Sequence, residues 1–192
     1  MSKNSTKLEL LKEIMVREHG LTNVCLEELL SSKNPKVQLN WLKQNAVLKH
    51  QYNEEKLIFT KLLKKERLKE GGPFCVLFFD EHVISPPAQL VKKYTTKDLT
   101  YCEHQDVFKK DRSPLEIPLE EHVALENLLQ SLLAKPDENL IDHPALVLLE
   151  TLFHRHHEKE EKCFLKICES LLLPHEIDEI LSLWIPMTEY RS

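Results

Sequence analysis

The most constraining feature of this sequence is a histidine and a glutamate within an apolar helical stripe. His50 and Glu54 are four residues apart, so on a helix they lie on one face, about one turn apart. The rest of that stripe consists of Leu39, Leu42, Ala46 and Leu57. Burying an imidazole and a carboxylate without partners costs free energy. A bound divalent cation would remove that cost, because it accepts the imidazole lone pair and neutralises the carboxylate.

The same histidine and glutamate spacing recurs in residues 154–161, HRHHEKEE, which contain three overlapping pairs. His156 and Glu160 form the favoured pair, because apolar residues precede and follow them on the same helical stripe. The flanking residues are Leu149, Leu152, Phe153, Cys163, Phe164 and Ile167. His157 with Glu161 is the second candidate. The third pair, His154 with Glu158, falls among polar residues and is expected to face solvent.

Helical periodicity dominates the chain, and prolines, glycines and polar clusters divide it into four long helices. We expect them over residues 7–30, 36–69, 118–134 and 142–172, with Asp142 as the N-cap of the fourth. A short amphipathic helix should follow over residues 174–186. With 42% hydrophobic residues and only three glycines, the composition suits one all-α domain over residues 1–192. Two helical hairpins, 7–69 and 118–172, predict an up-down-up-down four-helix bundle.

Residues 71–117 form a long insertion between the second and third helices. Connections in compact bundles are usually much shorter, so the insertion should have a role of its own. Its apolar stretch PFCVLFF, residues 73–79, could pack on the bundle or present a surface to a protein partner. The stretch AQLVKKY, residues 88–94, is expected to form a short helix.

Two Glu-His dipeptides, Glu18-His19 and Glu121-His122, lie on apolar stripes of the first and third helices. His19 precedes the first interhelical turn by about as many residues as His50 follows it. His122 and His156 are placed in the same way about the second turn. Antiparallel packing would therefore bring four histidines and two carboxylates together inside the bundle, as in other bundle metal sites.

The ligand chemistry of this group favours a pair of metal ions. Mixed imidazole and carboxylate ligands suit iron, manganese or zinc, and bridging carboxylates suit two ions. Iron is the first choice. We find no arrangement of nucleophile, base and orienting group, and no phosphate-binding loop, so a metal centre is the evident reactive group.

Several other classes of protein are disfavoured. The formal net charge is −5, without a basic stripe, so a nucleic-acid partner is not expected. No segment approaches the roughly 20 apolar residues of a membrane span, and no secretory signal is recognisable, which predicts a cytoplasmic protein without a membrane partner. The five cysteines are scattered without a C-x-x-C pair, and we expect mostly reduced core residues.

These motifs resemble those of the hemerythrin-like family, also called the HHE cation-binding domain. The resemblance rests on HQYNEEKLIFTKL from residue 50, on HHEKEEKCFLKI from residue 156 and on the two Glu-His dipeptides, which occur in the same order. It covers nearly the whole chain apart from the insertion. It implies a four-helix bundle that binds two iron ions joined by oxo or carboxylate bridges.

The resemblance also implies roles for individual residues. The terminal imidazole ligands would be His19, His50, His122 and His156. Glu54 and Glu160 would bridge the two ions, and Glu121 is a candidate for an additional ligand. His82 is a candidate for a fifth histidine, because residues 71–82 resemble a Gly-Gly-Pro to Glu-His element of some family members.

The functions implied by the family are dioxygen binding, sensing of oxygen or iron, and nitric oxide handling or iron-centre repair. The sequence does not choose among them, and it leaves open whether the chain is an enzyme. One alternative is a protein-interaction bundle in which a metal, if bound, is structural. Another is hydrolysis at a carboxylate-bridged zinc or manganese pair.

Overall fold

A computed structural model describes residues 3–65, 87–95, 115–141 and 143–190 of the chain. Within these ranges all regular secondary structure is helical, which confirms the all-α prediction. Six helices carry the fold: α1, Lys3–Ser31; α2, residues 35–62; α3, Pro87–Lys92; α4, Glu116–Leu133; α5, residues 144–171; and α6, Pro174–Leu183.

Helices α2 and α5 both contain π-helical stretches. In α2 these are Lys43–Gln51 and Glu54–Phe59, and in α5 the stretch is Glu160–Phe164. A π-turn contains more residues than an α-turn, so it rotates the side chains that follow. Ile58 is consequently buried where the α-helical stripe predicted Leu57, which is only partly buried.

The helix boundaries differ from the predicted ones at several points. Helix α2 ends at residue 62 rather than 69, although residues 63–70 contain no glycine or proline. Residues 66–69 lie outside the described residues. Helix α4 begins two residues before Pro118, because the first turn of a helix has unbonded N–H groups and tolerates proline. Helix α6 ends at Leu183, three residues early.

The N-cap of α5 is His143, and not Asp142 as predicted. The Nδ1 atom of His143 accepts a hydrogen bond from the Ala145 N–H at 3.2 Å. This bond satisfies one of the free N–H groups of the first turn, which is the usual role of an N-cap side chain. Asp142 itself lies outside the described residues.

Helix α3 confirms the short helix expected within the insertion. It contacts α4, and its Val91 is fully buried in the apolar core. The insertion is thus anchored to the helical core through this element. The PFCVLFF stretch and His82 lie outside the described residues.

The apolar core is divided into two clusters by a layer of buried polar residues. Cluster 1 includes Leu26, Leu29, Leu39, Leu42, Leu125, Leu129, Leu149 and Phe153. Cluster 2 includes Leu11, Met15, Ile58, Phe59, Leu62, Phe164 and Ile167. Helices α1 and α4 run from cluster 2 to cluster 1, and α2 and α5 run the opposite way. All four therefore cross the polar layer near their midpoints.

These four helices also contact one another in a ring. Helix α1 contacts α2 and α5, and α4 contacts the same two helices. Helix α6 packs on α1 and α2, with Ile177 and Ile180 as its buried residues. None of the helices in the described part of the chain has the length and apolar character needed to cross a membrane.

The expectation that the cysteines are mostly reduced core residues holds for two of the three described ones. Cys25 and Cys168 are buried free thiols. Cys163 is disulfide-bonded and is the exception among the described cysteines. Sequence spacing does not reveal which cysteines the fold brings together, so it could not predict this bond.

Gly20, next to His19 in α1, provides a test of the helix. A side chain at this position would have room, because nothing lies within 4 Å of the place that a Cβ atom would occupy. We expect Gly20→Ala to raise the free energy of unfolding by up to about 1 kcal/mol, since alanine restricts the unfolded chain and favours helix. Chemical denaturation would measure this. A loss of stability would show that the backbone at this position is not ordinary α-helix.

Candidate metal centre

The structure brings together all six residues that the sequence singled out as metal ligands. They are His19, His50, Glu54, His122, His156 and Glu160, and each is at most 2% exposed. They form two groups, each of which could hold a metal ion, and within each group the ligand atoms lie within 4.8 Å of one another. His19 and His50 define position 1, and His122 and His156 define position 2. That these residues bind metal remains a prediction.

Glu54 and Glu160 belong to both groups, and each turns one oxygen towards each position. For Glu54, Oε1 is 3.6 Å from Nε2 of His50, and Oε2 is 3.3 Å from Nε2 of His122. For Glu160, Oε2 is 3.1 Å from Nε2 of His19, and Oε1 is 3.1 Å from Nε2 of His156. A carboxylate that bridges two cations through both of its oxygens has this division.

The two histidines of each position face each other through their Nε2 atoms. The Nε2 to Nε2 distance is 3.1 Å between His19 and His50, and 3.1 Å between His122 and His156. The ring planes within each pair are steeply inclined, at 77° and 79°. Two converging Nε2 atoms can either share a proton or bind a common cation.

The outward nitrogen of every histidine contacts a second glutamate. The Nδ1 atom of His50 lies 2.9 Å from Glu18, and that of His156 lies 2.9 Å from Glu121. The Nδ1 atom of His19 lies 2.8 Å from Glu161, and that of His122 lies 2.8 Å from Glu55. An ionised carboxylate only accepts hydrogen bonds, so each Nδ1 donates. The neutral imidazoles then carry their proton on Nδ1 and direct the Nε2 lone pair inwards, as metal-binding histidines do.

The centre of the site therefore consists of hydrogen-bond acceptors. None of the four oxygens of Glu54 and Glu160 receives a hydrogen bond from the described residues. Their contacts with the imidazoles are ion-pair contacts rather than well-directed hydrogen bonds. Since buried acceptors without donors are strongly destabilising, the arrangement calls for cations at its centre.

The electrostatics of the metal-free chain point the same way. Burial alone lowers the pKa of His50, but Glu54, Glu160 and Glu18 outweigh burial and raise that pKa to about 10. Burial likewise opposes protonation of His122, whose pKa its carboxylate neighbours nevertheless raise well above the usual value. Without metal, protons on these rings would supply the positive charge that the carboxylates require.

The sequence motifs include Glu18, Glu121 and Glu161 but do not assign them the role of supporting carboxylates. Glu121, a candidate for an additional ligand, belongs to neither group; it holds His156 and contacts the ammonium of Lys159. Glu55 and Glu161 each follow one of the two shared glutamates, Glu54 and Glu160, in the chain. The repeated Glu-His and Glu-Glu dipeptides were the available signal, because a residue beside a ligand on a helix can reach a neighbouring helix.

The two residues of the second-ranked pair, His157 and Glu161, do not face a common site. His157 is buried and stacks on His19, with ring centroids 4.1 Å apart and nearly parallel planes. Its Nδ1 is 3.3 Å from Oδ1 of Asn23, and it belongs to neither group. Burial and the nearby histidines hold the pKa of His157 well below its usual value, so its ring is neutral. His154 and Glu158 are exposed, as predicted.

The extended segment after α6 supports position 1. The indole Nε1 of Trp184 and the backbone N–H of Met187 both donate to Oε1 of Glu18, at 3.2 and 3.0 Å. Ile185 exchanges two hydrogen bonds with the Asn53 side chain on α2. The C-terminal residues thus fix the carboxylate that orients His50.

Comparisons with known protein families, with curated proteins and with solved structures found no significant match to this chain. The functional argument therefore rests on the residues of the site.

A matched pair of double variants on α5 tests the predicted ligands. His156→Ala with Glu160→Ala removes one imidazole and one shared carboxylate, and we expect stoichiometric metal binding to be lost at both positions. His154→Ala with Glu158→Ala has the same spacing on the exposed face and should retain the metal. Metal content after equilibrium dialysis against Fe²⁺ without oxygen would measure both. Full metal content in the first variant would contradict the assignment.

Proposed function

We propose that this chain is a hemerythrin-like, non-haem di-iron protein that binds or senses dioxygen or a related diatomic molecule, or senses iron. The observation that carries the proposal is the position of Glu54 and Glu160, each with one oxygen at each of two histidine pairs. Two carboxylates arranged in this way suit two cations better than one.

The helix arrangement supports a four-helix bundle of this family. Helices α1, α2, α4 and α5 contact one another in a ring and alternate in direction between the two apolar clusters. Each contributes ligands from its middle, as in other bundle metal sites. The π-helical stretches include His50, Glu54 and Glu160, and such stretches are frequent at functional sites.

The ligand set also supports iron and an open coordination position. Each position offers two imidazoles and two carboxylate oxygens, so the protein supplies four ligands per ion. Four ligands complete a structural zinc site, whereas octahedral coordination leaves room for further ligands. Iron at such a centre would supply reversible electron transfer to a small ligand.

The protein residues limit what can reach the centre and hold its geometry. All six candidate ligands are buried beneath the helices, which favours a diatomic ligand over a larger substrate. The four glutamates on Nδ1 fix ring orientation and increase the donor strength of the imidazoles. His157 lies against position 1 as a neutral ring.

The alternative is an interaction bundle with a structural metal. It would place the biological role in the insertion, whose apolar stretch lies outside the described residues. A structural centre would be coordinatively closed and would not respond to oxygen. The two functions thus differ in a property that can be measured directly.

Metal analysis with an absorption spectrum tests the proposal. The untagged chain, produced in iron-supplemented medium, should contain about two irons, and its near-ultraviolet bands should change on reduction and on re-exposure to air. A protein with two metal ions that is silent towards reduction and oxygen would favour the structural alternative. A folded, metal-free protein that takes up no added Fe²⁺ would refute the di-iron proposal.

A further inference from the structure

The two metal positions have matching ligands but different supports behind them. At position 1, the carboxylate that holds His50 is Glu18, whose other oxygen accepts from the Trp184 indole and the Met187 backbone. At position 2, the carboxylate that holds His156 is Glu121, whose other oxygen contacts the Lys159 ammonium. The donors are neutral behind position 1 and charged behind position 2.

This difference changes the strength of the imidazole ligands. A carboxylate that accepts from neutral N–H groups leaves more of its charge available to the imidazole N–H than one that contacts an ammonium ion, and so makes Nε2 a stronger donor. A carboxylate beside an ammonium ion shares that charge. Lys159 is only 3% exposed, so solvent screens its charge weakly.

A second difference lies beside the other histidine of each position. His19 stacks on the His157 ring, with ring centroids 4.1 Å apart, and His122 stacks on Phe59, with ring centroids 5.9 Å apart. Position 1 is therefore flanked by a second imidazole ring, and position 2 by an apolar ring. The surroundings of the two positions thus differ, and the difference in charge behind them favours cation binding at position 1.

We infer that the two positions are unequal, and that position 1, His19 with His50, binds its divalent cation about tenfold more tightly than position 2. This inference rests on the proposed two-metal site. Loading is then sequential, with one ion at position 1 before the second enters between the shared carboxylates. Lys159 is the positioning residue that weakens position 2.

Two variants at equivalent histidines of the two hairpins allow the affinity of each position to be measured alone. His156→Ala leaves the complete ligand set of position 1, and His50→Ala leaves that of position 2. With Co²⁺ as the probe, competition against a coloured chelator should give a dissociation constant about tenfold lower for His156→Ala than for His50→Ala, the lower end of outer-partner effects. If circular dichroism shows that His156→Ala is unfolded, His122→Ala replaces it. If His50→Ala is unfolded, His19→Ala replaces it.

The charge of Lys159 is tested in the His50→Ala background. Adding Lys159→Met should increase Co²⁺ affinity at position 2 about tenfold, because the carboxylate of Glu121 is no longer neutralised. Lys162→Met is the matched control, since Lys162 pairs with Glu158 on the exposed face of the same helix. It should leave the affinity unchanged.

The outcomes separate this inference from the proposed function. Equal Co²⁺ affinities of His156→Ala and His50→Ala, or tighter binding by His50→Ala, would overturn the inferred difference in affinity between the two positions. The two-metal site would remain intact. An unchanged affinity on Lys159→Met would overturn the role of Lys159. No Co²⁺ binding by the folded wild-type chain would refute both the proposed function and the inference.

Discussion

Glu54 and Glu160 are fully buried between two pairs of histidines, and no described donor satisfies their oxygens. The rest of the structure is organised around this layer of acceptors. Two apolar clusters, one on each side, hold the four long helices together, so helix packing does not depend on the polar residues between them. The two clusters hold the buried polar residues in place, because the free energy gained from apolar burial on both sides offsets the cost of burying these acceptors.

The sequence predicted the helical class and the convergence of six residues for identifiable reasons. His50 and Glu54 stood out because they interrupted an apolar stripe, and the symmetric placement of His19 and His122 about the turns located their partners. The Glu-Glu dipeptides indicated Glu55 and Glu161, but their partners could not be predicted, because each of these contacts joins different hairpins. The π-turns that bury Ile58 could not be predicted either, since an α-helical periodicity assumes a constant number of residues per turn.

The two halves of the site repeat each other in their ligands and differ in their surroundings. Trp184 and Met187, after α6, donate to Glu18 in the first half, and Lys159 contacts Glu121 in the second. A repeated arrangement of candidate ligands thus has two different surroundings, provided by residues outside the two groups. Such outer contacts are a general means by which proteins tune metals without altering the ligand set.

Anomalous X-ray diffraction from crystals of the iron-loaded protein would test the central claim most directly. The account predicts two iron peaks, one between His19 and His50 and one between His122 and His156, with Glu54 and Glu160 contributing one oxygen to each ion. A single iron bound by one histidine pair, with the other pair unbound at saturating iron, would contradict the shared-carboxylate arrangement. Iron peaks confined to surface histidines would contradict the site altogether.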